Sequence, residues 1–141
     1  MTDFIKLIIM CFYILIGIVS LIMAYKNIFS KKFISFHQQT AGKSLNDLDE
    51  GLQMVIISLM RVSGLGFLIV ALLLIVFPVI NYFGNNLLIR FSIPALSFVF
   101  CFGLFIVNFQ LYKRTKVKTP WKGALASSSI IAANLLISLL I

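Results

Sequence analysis

The lengths of the apolar stretches constrain this chain more than any other feature. Residues 4–25, 52–77, 87–112 and 121–141 are four nearly uninterrupted apolar segments. A helix needs about 20 apolar residues to cross the roughly 30 Å hydrocarbon core of a bilayer, and each segment reaches that length. The whole chain is 141 residues, 61% of them hydrophobic and 11% charged, against about 45–50% and about 25% in an ordinary soluble domain. Too little chain is left over to build a soluble domain. The expected architecture is an all-α membrane protein, a single antiparallel four-helix transmembrane bundle with one basic interfacial loop at 26–44.

The first segment follows a short start containing Lys6, as a secretory leader would. Its apolar stretch is longer than the usual 7–15 residues of a leader and no A-x-A-like cleavage site follows, so an uncleaved helix is expected. Tyr13, Gly17, Ser20 and Ala24 recur at helical spacing, a stripe of small and polar residues suited to helix contact. The two cysteines, Cys11 and Cys101, both fall inside spans, and with no CxxC they read as small apolar fillers.

The second segment belongs to a longer apolar run, Leu45 to Phe83, with Arg61 inside it. Ser44-Leu45-Asn46-Asp47 has the form of a capping box, and Asp47, Asp49 and Glu50 follow where a helix dipole favours carboxylates. A helix starting near Ser44 puts Asn46, Glu50, Gln53, Arg61 and Gly64 within roughly 80° of one another, a polar face expected to look into the bundle. An arginine at the centre of a span costs about 2.5–3.5 kcal/mol unless paired or wetted. Hydrocarbon beginning near Leu52 would bury Arg61 deeply, whereas hydrocarbon beginning near Val62 would let it snorkel to the headgroups. His37, Glu50, Gln53, Arg61 and Gly64 are accordingly the candidate binding residues. Gly64 and Gly66 also allow a neighbouring helix to approach closely.

Along the third segment Arg90, Pro94, Ser97, Cys101, Asn108 and Tyr112 form one stripe, with Asn108 placed to hydrogen-bond across helices. In the fourth, Gly123, Ser127, Asn134 and Ser138 line one face, with Gly123 and Ser127 as a small-xxx-small pair. Asn108, Ser127 and Asn134 are the expected helix-packing polar residues.

The net charge of +8 reflects basic residues flanking apolar segments, which points to anionic lipid headgroups and not to nucleic acid. Nine bases (Lys26, Lys31, Lys32, Lys43, Lys113, Arg114, Lys116, Lys118 and Lys122) lie in the loops after the first and third spans, against Lys6 and Arg90 on the opposite side. Those loops are expected in the cytoplasm and both termini outside it, in a bacterial inner membrane. Lys31, Lys32, Lys113, Arg114, Lys116, Lys118 and the anchor Trp121 are the expected headgroup contacts. Phe29, Phe33, Ile34 and Phe36, interleaved with the lysines, fit a segment lying in the interface.

Catalytic motifs are absent: no G-x-S-x-G, HExxH, P-loop or G-x-G-x-x-G occurs, and no carboxylate follows Glu50. One histidine without a second histidine or a nearby cysteine makes a poor metal site, so no metal or cofactor is expected. His37 suits a loop-capping role or, since it titrates near neutrality, proton handling. The spans hold no acidic residue of the kind that coupled transport relies on.

The run FHQQTAGKSLNDLDEGLQMVIISLMRVSGLGFL, with the later KTPWKGAL, resembles a group of small uncharacterised four-helix bacterial membrane proteins. Phe36, His37, Gly42, Leu45, Leu48, Gln53, Leu59, Met60, Arg61, Gly64, Gly66, Pro120 and Trp121 carry the resemblance, over roughly a third of the chain. Leu45 stands where that pattern often has an aromatic residue. The resemblance implies a shared fold and no activity. The leading expectation is a non-catalytic lipid- or partner-binding or structural membrane protein, alone or as a homo-oligomer. The alternatives are a transporter or channel for a neutral or anionic solute, with Arg61 and Gln53 in its path, and an interfacial lipid-modifying enzyme using His37 and Glu50.

Overall fold

The computed structural model describes residues 2–30, 32, 35–84 and 86–140. All its regular elements are helical: α1 (Thr2–Phe29), α2 (Ser35–Ala41), a 3₁₀ turn (Leu45–Asp47), α3 (Glu50–Gly84), α4 (Leu87–Thr115) and α5 (Trp121–Leu139). Among the described residues, α1, α3, α4 and α5 are the four helices long and apolar enough to cross a membrane.

The start of α3 differs from expectation. The Ser44 amide does donate to the Asp47 carboxylate, at 2.9 Å, but this box closes only the 3₁₀ turn. Leu48 then turns extended, and α3 begins afresh with the Leu52 amide donating to the Asp49 carboxylate at 3.1 Å. The interruption takes Asn46 out of the helix, while Glu50, Gln53, Arg61 and Gly64 keep their mutual phase within α3. The sequence at the head of α4 works as its residue types suggest, with the Asn86 side chain accepting from the amides of Leu88 and Ile89.

All four long helices contribute to one core. Ile9, Tyr13 and Ile16 of α1 meet Val70 and Leu74 of α3, Cys101 of α4 and Ile131 of α5. The small-residue stripe of α1 is buried, as its spacing predicts, at Tyr13, Gly17, Ser20 and Ala24. Two glycines set its distance from α3. A Cβ on Gly17 would stand 2.6 Å from Ile75 Cγ1, and one on Gly64 would stand 2.7 Å from Ile28 Cγ1 and 3.0 Å from the Ile28 amide. Gly66 does the same toward α4, where a Cβ would come within 3.2 Å of the Phe100 ring. These are the close approaches expected of Gly64 and Gly66.

Three expected packing roles are corrected. The Asn108 amide turns back to the Leu104 carbonyl of its own helix at 2.8 Å, because an asparagine inside a helix finds the carbonyl four residues back already within reach. The contact reaching across is made instead by its backbone, whose carbonyl accepts from Thr119 Oγ1 at 2.9 Å. On α5, Gly123 is exposed with nothing near its missing Cβ; Ser127 is half-buried, and the fully buried serine is its neighbour Ser128. Cys11 faces outward and fills no core space, whereas Cys101 is buried.

Outside this core the surface is apolar. Leu15, Val62, Leu72, Val99, Val107 and Leu136 are all more than half exposed. A soluble monomer rarely presents continuous apolar surface on this scale.

Candidate functional site

The candidate residues named from the sequence do not form one site. Arg61 is exposed. The residues of α3 that turn inward are Met60, Gly64, Val70, Ala71 and Leu74, and at 100° per residue Arg61 lies roughly 110° around the helix from the middle of that group. Gly64, one turn further along, packs against Asn27 and Ile28, so Arg61 stands near the level at which α1 ends at Phe29. Glu50 is exposed at the head of α3. Gln53 spends its amide on the Leu48 carbonyl at 2.8 Å, tying α3 to the segment before it. The polar path expected through Arg61 and Gln53 is therefore not assembled. His37 lies half-buried on α2, where loss of solvent pushes its imidazole below the ordinary value. No group of three or more His, Cys, Asp or Glu able to hold a metal occurs among the described residues.

The residues expected at the headgroups lie near the other helix ends. Lys32, Lys113, Arg114, Lys116 and Lys118 are exposed, while Lys31 lies outside the described residues, as do Phe33 and Ile34 of the expected interfacial segment. Trp121 is half-buried and packs on α4, its ring centroid 5.4 Å from that of Phe109 and 5.9 Å from that of Tyr112. Lys113 sits over the Phe109 ring at 5.1 Å and Lys122 over the Trp121 ring at 5.7 Å.

A concave site lined by several polar side chains lies at the opposite end from this aromatic cluster. A partly open cavity of about 60 Å³ lies among the first turns of α1, the last turns of α3, the first turns of α4 and the last turns of α5. That is room for on the order of four waters. Its polar groups come from every wall: Lys6 and Tyr13 from α1, Asn81 from α3, Arg90 from α4 and Ser138 from α5. Ile9, Leu74, Phe77 and Ile93 supply apolar surface between them.

Arg90 is the anchor. Its Nη2 donates to the Ser138 carbonyl at 2.6 Å, placing a positive charge at the negative end of α5. Its guanidinium carbon lies 5.6 Å from the centroid of the adjacent Phe91 ring. A guanidinium carries five N–H donors in a fixed fork, so this single protein acceptor leaves most of them for the cavity. On α1, Tyr13 is 4% exposed, and its hydroxyl has no hydrogen-bond partner among the described residues. The Asn81 carboxamide oxygen is likewise buried without a partner. An unsatisfied buried polar group costs about 1–3 kcal/mol, so two in one small cavity call for a hydrogen-bonding partner there, water or a ligand's polar group.

Two prolines add to the polarity of the cavity. Pro78 and Pro94 both lie inside helices and both line the cavity. A proline has no N–H to give to the carbonyl four residues earlier, which frees the carbonyls of Leu74 and Arg90. In lipid such carbonyls are tolerated where water or a polar neighbour reaches them.

Sequence reasoning assigned Arg90 to a helix stripe and passed over it as a site residue. The available signal was the charge count itself: Lys6 and Arg90 are the two bases on the side that the topology rule leaves nearly empty. Asn134 on α5 is buried with its Nδ2 unpartnered, and Ser97 on α4 is fully buried with an unpartnered hydroxyl. No family model, curated protein or solved structure matches this chain.

Proposed function

We propose that this protein is a multi-pass bacterial inner-membrane protein that binds a lipid without chemically altering it. The four long helices run antiparallel in this reading, which the pairing of Gly17 with Ala71 and Ile75, and of Gly64 with Asn27 and Ile28, supports. The nine bases at the Trp121 end favour the cytoplasm for that end and the opposite side for the termini and the cavity. Arg61, exposed near the level where α1 ends, then reaches the cytoplasmic headgroups by snorkelling. The resemblance carried by His37, Arg61, Gly64 and Trp121 agrees with a bacterial source.

One observation carries the binding function: the buried, unpartnered Tyr13 hydroxyl in a cavity it shares with Arg90. Ligand pockets are mostly apolar, with a few convergent polar groups that fix orientation, and this cavity has that composition. The test is to purify the full chain in a neutral maltoside detergent, pass it through size exclusion and weigh the retained lipid by native mass spectrometry. The parent should keep stoichiometric lipid. Ile93→Trp, which fills the cavity from α4, should lose that lipid while keeping its helical circular dichroism. Equal retention by the two proteins would place the lipid on the outer surface and end the proposal.

A further inference from the structure

The cavity's charge carries the reading one step further, to the class of headgroup it takes. Of the twelve Lys and Arg residues in the chain, nine belong to the loops at the Trp121 end and Arg61 is exposed on α3. The remaining two, Lys6 and Arg90, come from different helices and line the same cavity. Among the described residues no carboxylate lines it. Three of the chain's four acids, Asp47, Asp49 and Glu50, lie at the head of α3, whereas the cavity lies at its other end. Asp3, the fourth, is exposed in the first turn of α1.

We infer that this cavity is an oxoanion site, built to take a phosphate or carboxylate group between Arg90 and Lys6. A guanidinium fork matches the oxygens of either group, and its hydrogen bond to Ser138 holds the fork in place. The Tyr13 hydroxyl supplies a third donor, at present without an acceptor. Asn81 supplies a fourth on rotating its carboxamide, since the oxygen and nitrogen ends exchange at little cost. The volume fits a headgroup of a few heavy atoms and excludes a whole lipid, so any tail lies outside along the apolar helix faces.

The inference rests on the lipid-binding reading above, and the test separates the two. Thermal unfolding of the full chain in a neutral maltoside is followed during titration with three probes: inorganic phosphate, dodecyl phosphate and dodecyl glycerol. Dodecyl phosphate should raise the midpoint saturably by several degrees. In Lys6→Gln the apparent affinity for it should fall about tenfold, and in Tyr13→Phe several-fold, with the ligand-free midpoint of each variant close to that of the parent. Arg90 is left intact because it also holds the end of α5. A saturable response to inorganic phosphate as well assigns the site to the free anion. A response to the tailed phosphate alone assigns it to a lipid headgroup. If dodecyl glycerol stabilises as strongly as dodecyl phosphate, and Lys6→Gln binds both unchanged, the oxoanion inference falls while lipid binding stands. If no probe gives a saturable shift, both fall.

Discussion

Arg61 and Arg90 both interrupt long apolar helices, yet the two ends of the molecule use them in opposite ways. Near Arg61 the chain is rich in charge, and the charge is turned outward: Arg61, Lys113, Arg114, Lys116 and Lys118 are all exposed. Near Arg90 the chain is poor in charge, and what it has is gathered between helices with Lys6, Tyr13 and Asn81. The difference lies in what each arginine can reach. Arg61 sits near the end of α1 and on the outer arc of α3, where its side chain is exposed. Arg90 sits in the first turn of α4 beside the last turn of α5, whose C-terminal carbonyls lack intrahelical donors. A charge is drawn inward where a helix end offers it an acceptor.

The largest expected effect tests this contrast directly. Arg90→Ala removes a charged hydrogen bond to the Ser138 carbonyl and should cost about 2–3 kcal/mol of stability, read from denaturant or thermal unfolding in detergent. Arg61→Ala should stay within about 0.5 kcal/mol of the parent, as exposed substitutions usually do. The reverse ranking would mean that Arg61 has a buried partner and that the outward assignment of this arginine is mistaken.

Much of this was legible in the residues, and what was not has definite causes. Apolar length places four helices because a spanning helix depends on local composition alone, and small-residue spacing finds the buried stripe Tyr13, Gly17, Ser20 and Ala24 for the same reason. The cavity was hidden because its groups lie far apart in sequence, at Lys6, Tyr13, Asn81, Arg90 and Ser138. No spacing rule links them until the helices are packed. The face of Arg61 was misread because it lies at the edge of the expected polar arc, about 60° around α3 from the inward Gly64 and so turned away from the buried residues. Ser127 is half-buried and Ser128 fully so: adjacent helix positions differ by about 100°, and small-residue spacing alone does not say which serine turns further inward.

The next effect sharpens the contrast at the level of Arg61 itself. Gly64 is one turn away and turned inward, where an added side chain meets the Ile28 amide as well as its side chain. Backbone cannot yield as a side-chain tip can, so Gly64→Val should cost about 2 kcal/mol by overpacking. Gly66→Ala should cost less, because the Phe100 ring that it meets can shift. Unfolding midpoints of the two variants beside Arg61→Ala separate the inward and outward arcs of one helix turn. Equal losses at Gly64 and Arg61 would erase the distinction.

Smaller again is the cap that decides where α3 begins. Asp49→Ala removes the acceptor for the Leu52 amide and should cost about 1 kcal/mol, the usual value for a lost helix cap. Asp47→Ala should cost less, since it frees only the 3₁₀ turn. If Asp47→Ala were the more damaging, the box at Ser44 would be holding the start of α3 itself.

The smallest effect is a dependence on pH confined to the Arg61 end. Burial holds the His37 imidazole below its ordinary value of 6.5, so in that range the unfolded chain binds more protons than the folded one. His37's contribution is therefore complete above about pH 7 and declines as pH falls from there toward the folded value. Asp47 acts in a separate window. Hydrogen bonds from Ser44 hold its carboxyl below the ordinary 3.8, so its contribution is present above that value and is lost as pH falls through the folded one. Unfolding midpoints across both windows should show two shallow declines, the upper one removed by His37→Asn and the lower one by Asp47→Ala. Arg90→Ala should leave both unchanged, because its charge lies at the other end of the helices. If it moved either window, the two ends would be coupled through the helix core, and the division between a charged rim and a charged cavity would have to give way to a single electrostatic unit.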